Sequence, residues 1–131
     1  MQVQLYEAVM LDTDNNVTWT LLRAGSYGKD NRLLPDGFDK DSAAADFSVV
    51  GNAETDANFV GGQDQVTYAV DVSDASGPFT LTVELLFQTV SYPFVANLSG
   101  DSTVLVNRFI NQFDQADKMP IVLDTNQKVI P

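Results

Sequence analysis

No histidine and no cysteine occur among the 131 residues, and only seven lysines and arginines stand against eighteen aspartates and glutamates. Each absence removes a class of chemistry. Without histidine, no side chain has an ordinary pKa near neutrality; without cysteine, there is no thiolate nucleophile, disulfide or redox couple. The two residue types also supply most ligands for zinc, copper, haem and iron–sulfur clusters. A net charge of -11 repels DNA, RNA and anionic lipid, so neither nucleic acid nor a membrane surface is an expected partner. No apolar run approaches the roughly 18–20 residues of a membrane-spanning helix, and no membrane insertion is expected. Met1-Gln2-Val3-Gln4-Leu5 lacks the basic and apolar regions of an export signal and reads as a strand, as though the chain were excised from a longer exported protein.

What is present suits one folded domain over residues 1–131. Hydrophobic residues make up 44%, with eight Phe, four Tyr and one Trp, enough for a core and unlike a disordered acidic tail. Alternating apolar positions predict strands at Val3 to Val9, Val17 to Arg23, Phe47 to Val50, Val66 to Val72 and Phe79 to Thr89. In the second, Val17, Trp19 and Leu21 share the expected inner face. In the last, Phe79, Leu81, Val83, Leu85 and Phe87 form an expected core row. Val90 to Ala96 reads as a continuation past a bend at Pro93. Ser102 to Ala116 is the one expected helix, with Leu105, Phe109 and Phe113 every fourth residue and a cap at Asp101 or Ser102. Ile121 to Leu123 and Val129-Ile130 close the chain as strands around a turn at Asp124 to Gln127. The fold class these readings predict is mainly β: an antiparallel β-sandwich of immunoglobulin or fibronectin type, about seven strands, with one C-terminal amphipathic helix. The stretches 24–46 and 51–65 lack periodicity and read as long loops.

Carboxylates are the chemistry left. Asp12, Asp14 and Asn16 match the opening spacing of a calcium loop, but Val17 stands where that loop needs glycine and Arg23 where it needs a bidentate glutamate. The competing reading is a hairpin tip built from Asx turns. Asp36, Asp39 and Asp41 form a second cluster, and Glu54, Asp56, Asn58 and Asp64 a third. Both suit calcium if they converge, and a solvated acidic surface if they do not. Arg23, Tyr27, Lys29 and Arg32 are the basic and aromatic residues that could meet a partner's carboxylates. Their alternative is to pin the long loop through local ion pairs. Trp19, Tyr27, Tyr68 and Tyr92 could offer a sugar-stacking surface, with Tyr27 the best placed for exposure. Two-carboxylate hydrolysis needs one acid held protonated across a cleft, and no spacing places two acids that way.

Leu21-Leu22-Arg23-Ala24 and Asp30-Asn31-Arg32-Leu33-Leu34-Pro35-Asp36-Gly37-Phe38-Asp39-Lys40 are followed by Phe59-Val60-Gly61-Gly62 and the Val66 to Val72 strand. With Gly77-Pro78-Phe79 and the stretch from Tyr92 to Leu98, this pattern resembles a C-terminal β-rich accessory domain of bacterial exported multihaem c-type cytochrome-like proteins. The resemblance spans most of the chain. It implies an extracytoplasmic domain, periplasmic, cell-surface or secreted, with no catalytic residues of its own. Haem attachment needs Cys-x-x-Cys-His, and both residue types are missing here, so any haem belongs to a parent protein. The sequence therefore predicts a non-catalytic docking or assembly domain, its partner being the rest of the parent polypeptide or another exported protein. A calcium- or carbohydrate-binding module is the alternative.

Overall fold

The computed structural model describes residues 2–131. The chain divides into two compact units, Met1–Val70 and Asp71–Pro131.

The first unit carries a three-stranded antiparallel sheet of β1 (Ala8–Asp12), β2 (Val17–Thr18) and β3 (Ala24–Asp30), in the order β2-β1-β3. Asp12 makes the β1–β2 turn. Its Oδ1 accepts from the Asp14 and Asn16 amides at 2.9 and 2.8 Å, and Asn15 takes the left-handed φ of 62° that asparagine tolerates. The opening strand thus begins at Ala8 rather than Val3. The expected inner face of β2 is corrected as well: Thr18 is buried, Trp19 half-buried, and Val17 and Leu21 are exposed. A 3-10 turn over Leu21–Arg23 ends the extended chain and leaves Leu22 99% exposed. β3 lies where periodicity is absent, because backbone pairing to β1, not apolar alternation, holds it. Two register shifts interrupt that pairing.

Asn31 extends the sheet with its side chain. Its Nδ2 donates to the Leu5 carbonyl at 2.9 Å while its Oδ1 accepts from the Glu7 amide at 3.0 Å. Residue 50 meets β3 in a single bridge, Asp30 and Val50 exchanging both backbone hydrogen bonds at 3.0 Å. The strand expected over Phe47 to Val50 is otherwise a 3-10 turn at Ala45–Phe47. A one-turn helix α1 (Asn52–Thr55) follows, and the buried core is Val49, Ala53 and Phe59 with Tyr6 and Leu34 against it. Loop 34–40 is clipped to 53–62. Lys40 Nζ donates to the carbonyls of Ala53 (2.9 Å) and Asp56, and Gly62 donates to Leu34 O at 3.0 Å.

The second unit is a two-stranded antiparallel ribbon, β4 (Phe79–Phe87) with β5 (Ile121–Ile130), and two helices, α2 (Tyr92–Leu98) and α3 (Val104–Gln115). Three sequence expectations change here. The continuation at Val90 to Ala96 is helix: Ser91 Oγ caps it by accepting from the Phe94 amide, and Pro93 in the first turn has no amide to waste. The cap of α3 is Thr103, whose Oγ1 accepts from Val106 N at 3.3 Å. Residues 124–127 form no turn, since β5 pairs with β4 throughout its ten residues apart from one bulge at Leu123. Phe94 meets Phe109 edge-on at 6.4 Å and Phe109 stacks with Phe113 at 6.1 Å, with Val95 buried in α2. Leu105, expected in the same stripe, is exposed.

The described residues therefore form five antiparallel paired strands in two small sheets, with three helices. The segment 66–72, alternating though it is, makes no ladder. The expected core row is also corrected. Leu81, Val83, Leu85 and Phe87 face solvent at 44–52% exposure: among the described residues β4 pairs only with β5, and a two-stranded ribbon is too narrow to bury its own face.

Candidate functional site

The four basic and aromatic candidates lie on or beside β3. Lys29 reaches back across the sheet to the Leu5 carbonyl at 3.1 Å and to Glu7 Oε1 at 3.0 Å. Arg32 grips Asp30 with two prongs, Nε to Oδ1 at 2.9 Å and Nη2 to Oδ2 at 2.6 Å, and its guanidinium lies 5.9 Å from the Tyr27 ring centroid. Asp30 is only 7% exposed. Burial alone would raise its pKa; the hydrogen bonds and charge of Arg32 outweigh that and hold the carboxyl below its usual value. Bonding to Asp30 in turn raises Arg32. Lys29 and Arg32 thus each meet a carboxylate of this chain. Arg23 ends the 3-10 turn in solvent.

The calcium candidates sit apart in the N-terminal unit. Asp12 is used by its own turn, with Asp14 and Asn16 supplying the amides it accepts. Asp39 accepts from the Asp41 amide at 3.1 Å and the Ser42 hydroxyl at 2.7 Å, and these bonds, the Ser42 one foremost, lower its pKa. Asp36 lies beside Gly62. Among the described residues no group of three or more acidic side chains converges as a metal cage.

A recess of about 370 Å³ opens beside α1, lined by Gln4, Lys29, Asn31, Asn52, Asp56 and Asp64 among others. Gln4, Asn31 and Asn52 were not singled out by sequence reasoning, because a lone amide carries no spacing signal. Tyr6 OH donates to Asp64 Oδ2 at 2.7 Å. Burial first, then that hydrogen bond and the Asp64 charge, push the phenol well above its usual pKa. The sign follows: a phenol raised in the folded state stabilises fully below its unfolded value of about 10 and loses that contribution as pH rises beyond it. Tyr6→Phe is expected to flatten the fall in stability above about pH 10, read by urea melts at stepped pH. An unchanged alkaline slope would show that the Tyr6–Asp64 bond carries no such linkage.

In the C-terminal unit the outstanding feature is the ribbon itself. Residues directly opposite in an antiparallel pair share a face, so Phe79 lies with Ile130, Leu81 with Lys128, Val83 with Asn126, Leu85 with Asp124 and Phe87 with Ile121. Ile121, Val122, Leu123, Val129 and Ile130 are all exposed, as is Leu86. The sequence marks β4 as apolar but cannot mark its face as exposed, since alternation looks the same whether the covering layer is internal or external. The chain exposes 10400 Å², with the ribbon and the outer face of α3 contributing exposed Leu, Val, Ile and Phe.

Comparison with protein-family models, with curated proteins and with solved structures finds no match to this chain.

Proposed function

We propose that this chain is a non-catalytic accessory domain of a larger exported protein, and that it serves docking or assembly through the β4–β5 ribbon. The observation that carries this reading is the apolar row of β4, Leu81, Val83, Leu85 and Phe87, at roughly half exposure, with Ile121 beside Phe87 on the same face and Lys128, Asn126 and Asp124 flanking the rest. A surface of that kind marks an interaction site, since the patch costs solubility unless something covers it. The acidic remainder of the chain offsets that cost by keeping it dispersed. In this reading the partner supplies the missing layer, and the seven-stranded sandwich that the sequence predicts is completed around the ribbon on assembly. The residues that resemble accessory domains of multihaem cytochrome-like proteins support an extracytoplasmic setting, with any haem carried by the parent. Arg32, Lys40, Gly61 and Gly62 belong to the same resemblance, and their contacts are scaffold contacts.

An environment-sensitive apolar dye tests this. Fluorescence is expected to rise on adding the chain and to fall severalfold in the Leu81→Ser, Val83→Ser, Leu85→Ser triple variant, with Trp19 emission unchanged. A dark dye with the native chain would contradict the docking surface.

A further inference from the structure

Strand β5 is paired on one side only. The ribbon is two-stranded, and among the described residues the backbone of β5 bonds only to β4, apart from the Thr125 amide, which donates to Asp124 Oδ1 at 2.8 Å. An isolated pair of strands is marginal in water, and three or more are needed for independent stability. A ten-residue strand with a free edge is a template for another strand. What would fit there is written in its sequence, Ile-Val-Leu-Asp-Thr-Asn-Gln-Lys-Val-Ile. Read antiparallel against itself about Asn126, Asp124 falls opposite Lys128 and Thr125 opposite Gln127, and the bulge at Leu123 ends this register. Across residues 124–128 charge meets opposite charge and hydroxyl meets amide. Asp124, Asn126 and Lys128 lie two apart on the face they share with Leu85, Val83 and Leu81, so the pairing keeps each face's character.

We infer that a second copy of this chain pairs with the first through β5, about a two-fold axis at Asn126, to give a four-stranded antiparallel sheet in the order β4-β5-β5-β4. The contact is isologous: two Asp124–Lys128 pairs form, one on each side of the axis. Strand β5 carries one acidic and one basic residue, so it is locally neutral within a chain of net charge -11, and copies meet where repulsion is least. Edge pairing leaves the apolar row of β4 open and doubles the surface offered to the partner layer. The inference rests on the docking reading in that it concerns the same ribbon, but the two fail separately.

Sedimentation equilibrium of the full chain, with Lys128→Asp, Asp124→Lys and the double reversal, tests it, with far-UV circular dichroism as the control for folding. The native chain is expected to show a monomer–dimer equilibrium. Each single reversal turns two attractive cross-strand pairs into repulsive ones and is expected to weaken it roughly tenfold or more. The double reversal, and an equimolar mixture of the two single variants, restore the complementarity and the dimer. A native chain that stays monomeric, or a dimer indifferent to the reversals, overturns the two-fold pairing. If that monomer still lights the apolar dye, the docking surface stands; if the dye stays dark, both fall.

Discussion

Phe59→Ala is expected to destabilise the N-terminal unit by about 3–5 kcal/mol, enough to leave much of it unfolded at room temperature. Phe59 is 2% exposed and is the only aromatic among the buried residues Val49, Ala53 and Phe59. A core this small has no neighbouring bulk to collapse into the void, so both the lost transfer energy and the cavity cost are felt. The Lys40 ammonium lies 5.9 Å from the ring centroid and donates to the Ala53 and Asp56 carbonyls that flank the core. Removing the ring therefore loosens the clip between loop 34–40 and α1 as well. Urea unfolding followed by Trp19 fluorescence reads this unit directly. A shift below about 1 kcal/mol would place the core elsewhere.

The second large effect is expected at Gly61. A Cβ built there falls 2.6 Å from Phe38 O, 2.8 Å from Phe38 N and 2.9 Å from Pro35 O. These are backbone atoms of a loop already held by the Phe38 N to Pro35 O hydrogen bond, so nothing flexible can give way. Gly61→Ala should cost at least about 2 kcal/mol through overpacking. Gly37→Ala is the matched control. No atom lies within 4 Å of its Cβ, and only its φ of 79° works against a side chain, a cost of about 1 kcal/mol. Urea melts of the two variants are expected to rank Gly61→Ala well below Gly37→Ala. Equal midpoints would mean that loop 35–38 does not press on residue 61.

How far the sequence was legible depends on what each element relies on. The Asp12 to Asn16 tip could be read because Asx turns are local chemistry, and the same residues decline the calcium pattern at Val17 and Arg23 for reasons visible in the chain. Strand β4 and helix α3 could be read because their periods are strong. Strand β3 could not, since Ala24 to Asp30 pairs through backbone and carries no alternation. Pro93 errs in the other direction: by itself it suggests a bend in a strand, whereas Ser91 two residues before it makes it part of the first turn of α2. The 66–72 segment alternates as cleanly as β4 yet joins no strand ladder among the described residues, which shows that alternation records fitness for a sheet and not the presence of a neighbour. Of the candidate site residues, Arg32 meets Asp30, two positions away in the sequence, whereas the partner of Lys29 is Glu7 across the sheet, which no local spacing marks. The ribbon was visible only as apolar sequence, because no residue type distinguishes a face meant for its own core from one meant for another chain.

Hydroxyl-radical footprinting of the purified chain weighs that distinction most directly, with Leu22 at 99% exposure and Phe59 at 2% as internal standards. Leu81, Leu85 and Phe87 are expected to be modified at rates nearer to Leu22 than to Phe59. Protection of all three to the level of Phe59 would mean that this chain covers the ribbon by itself, and an external docking layer would have no place to bind.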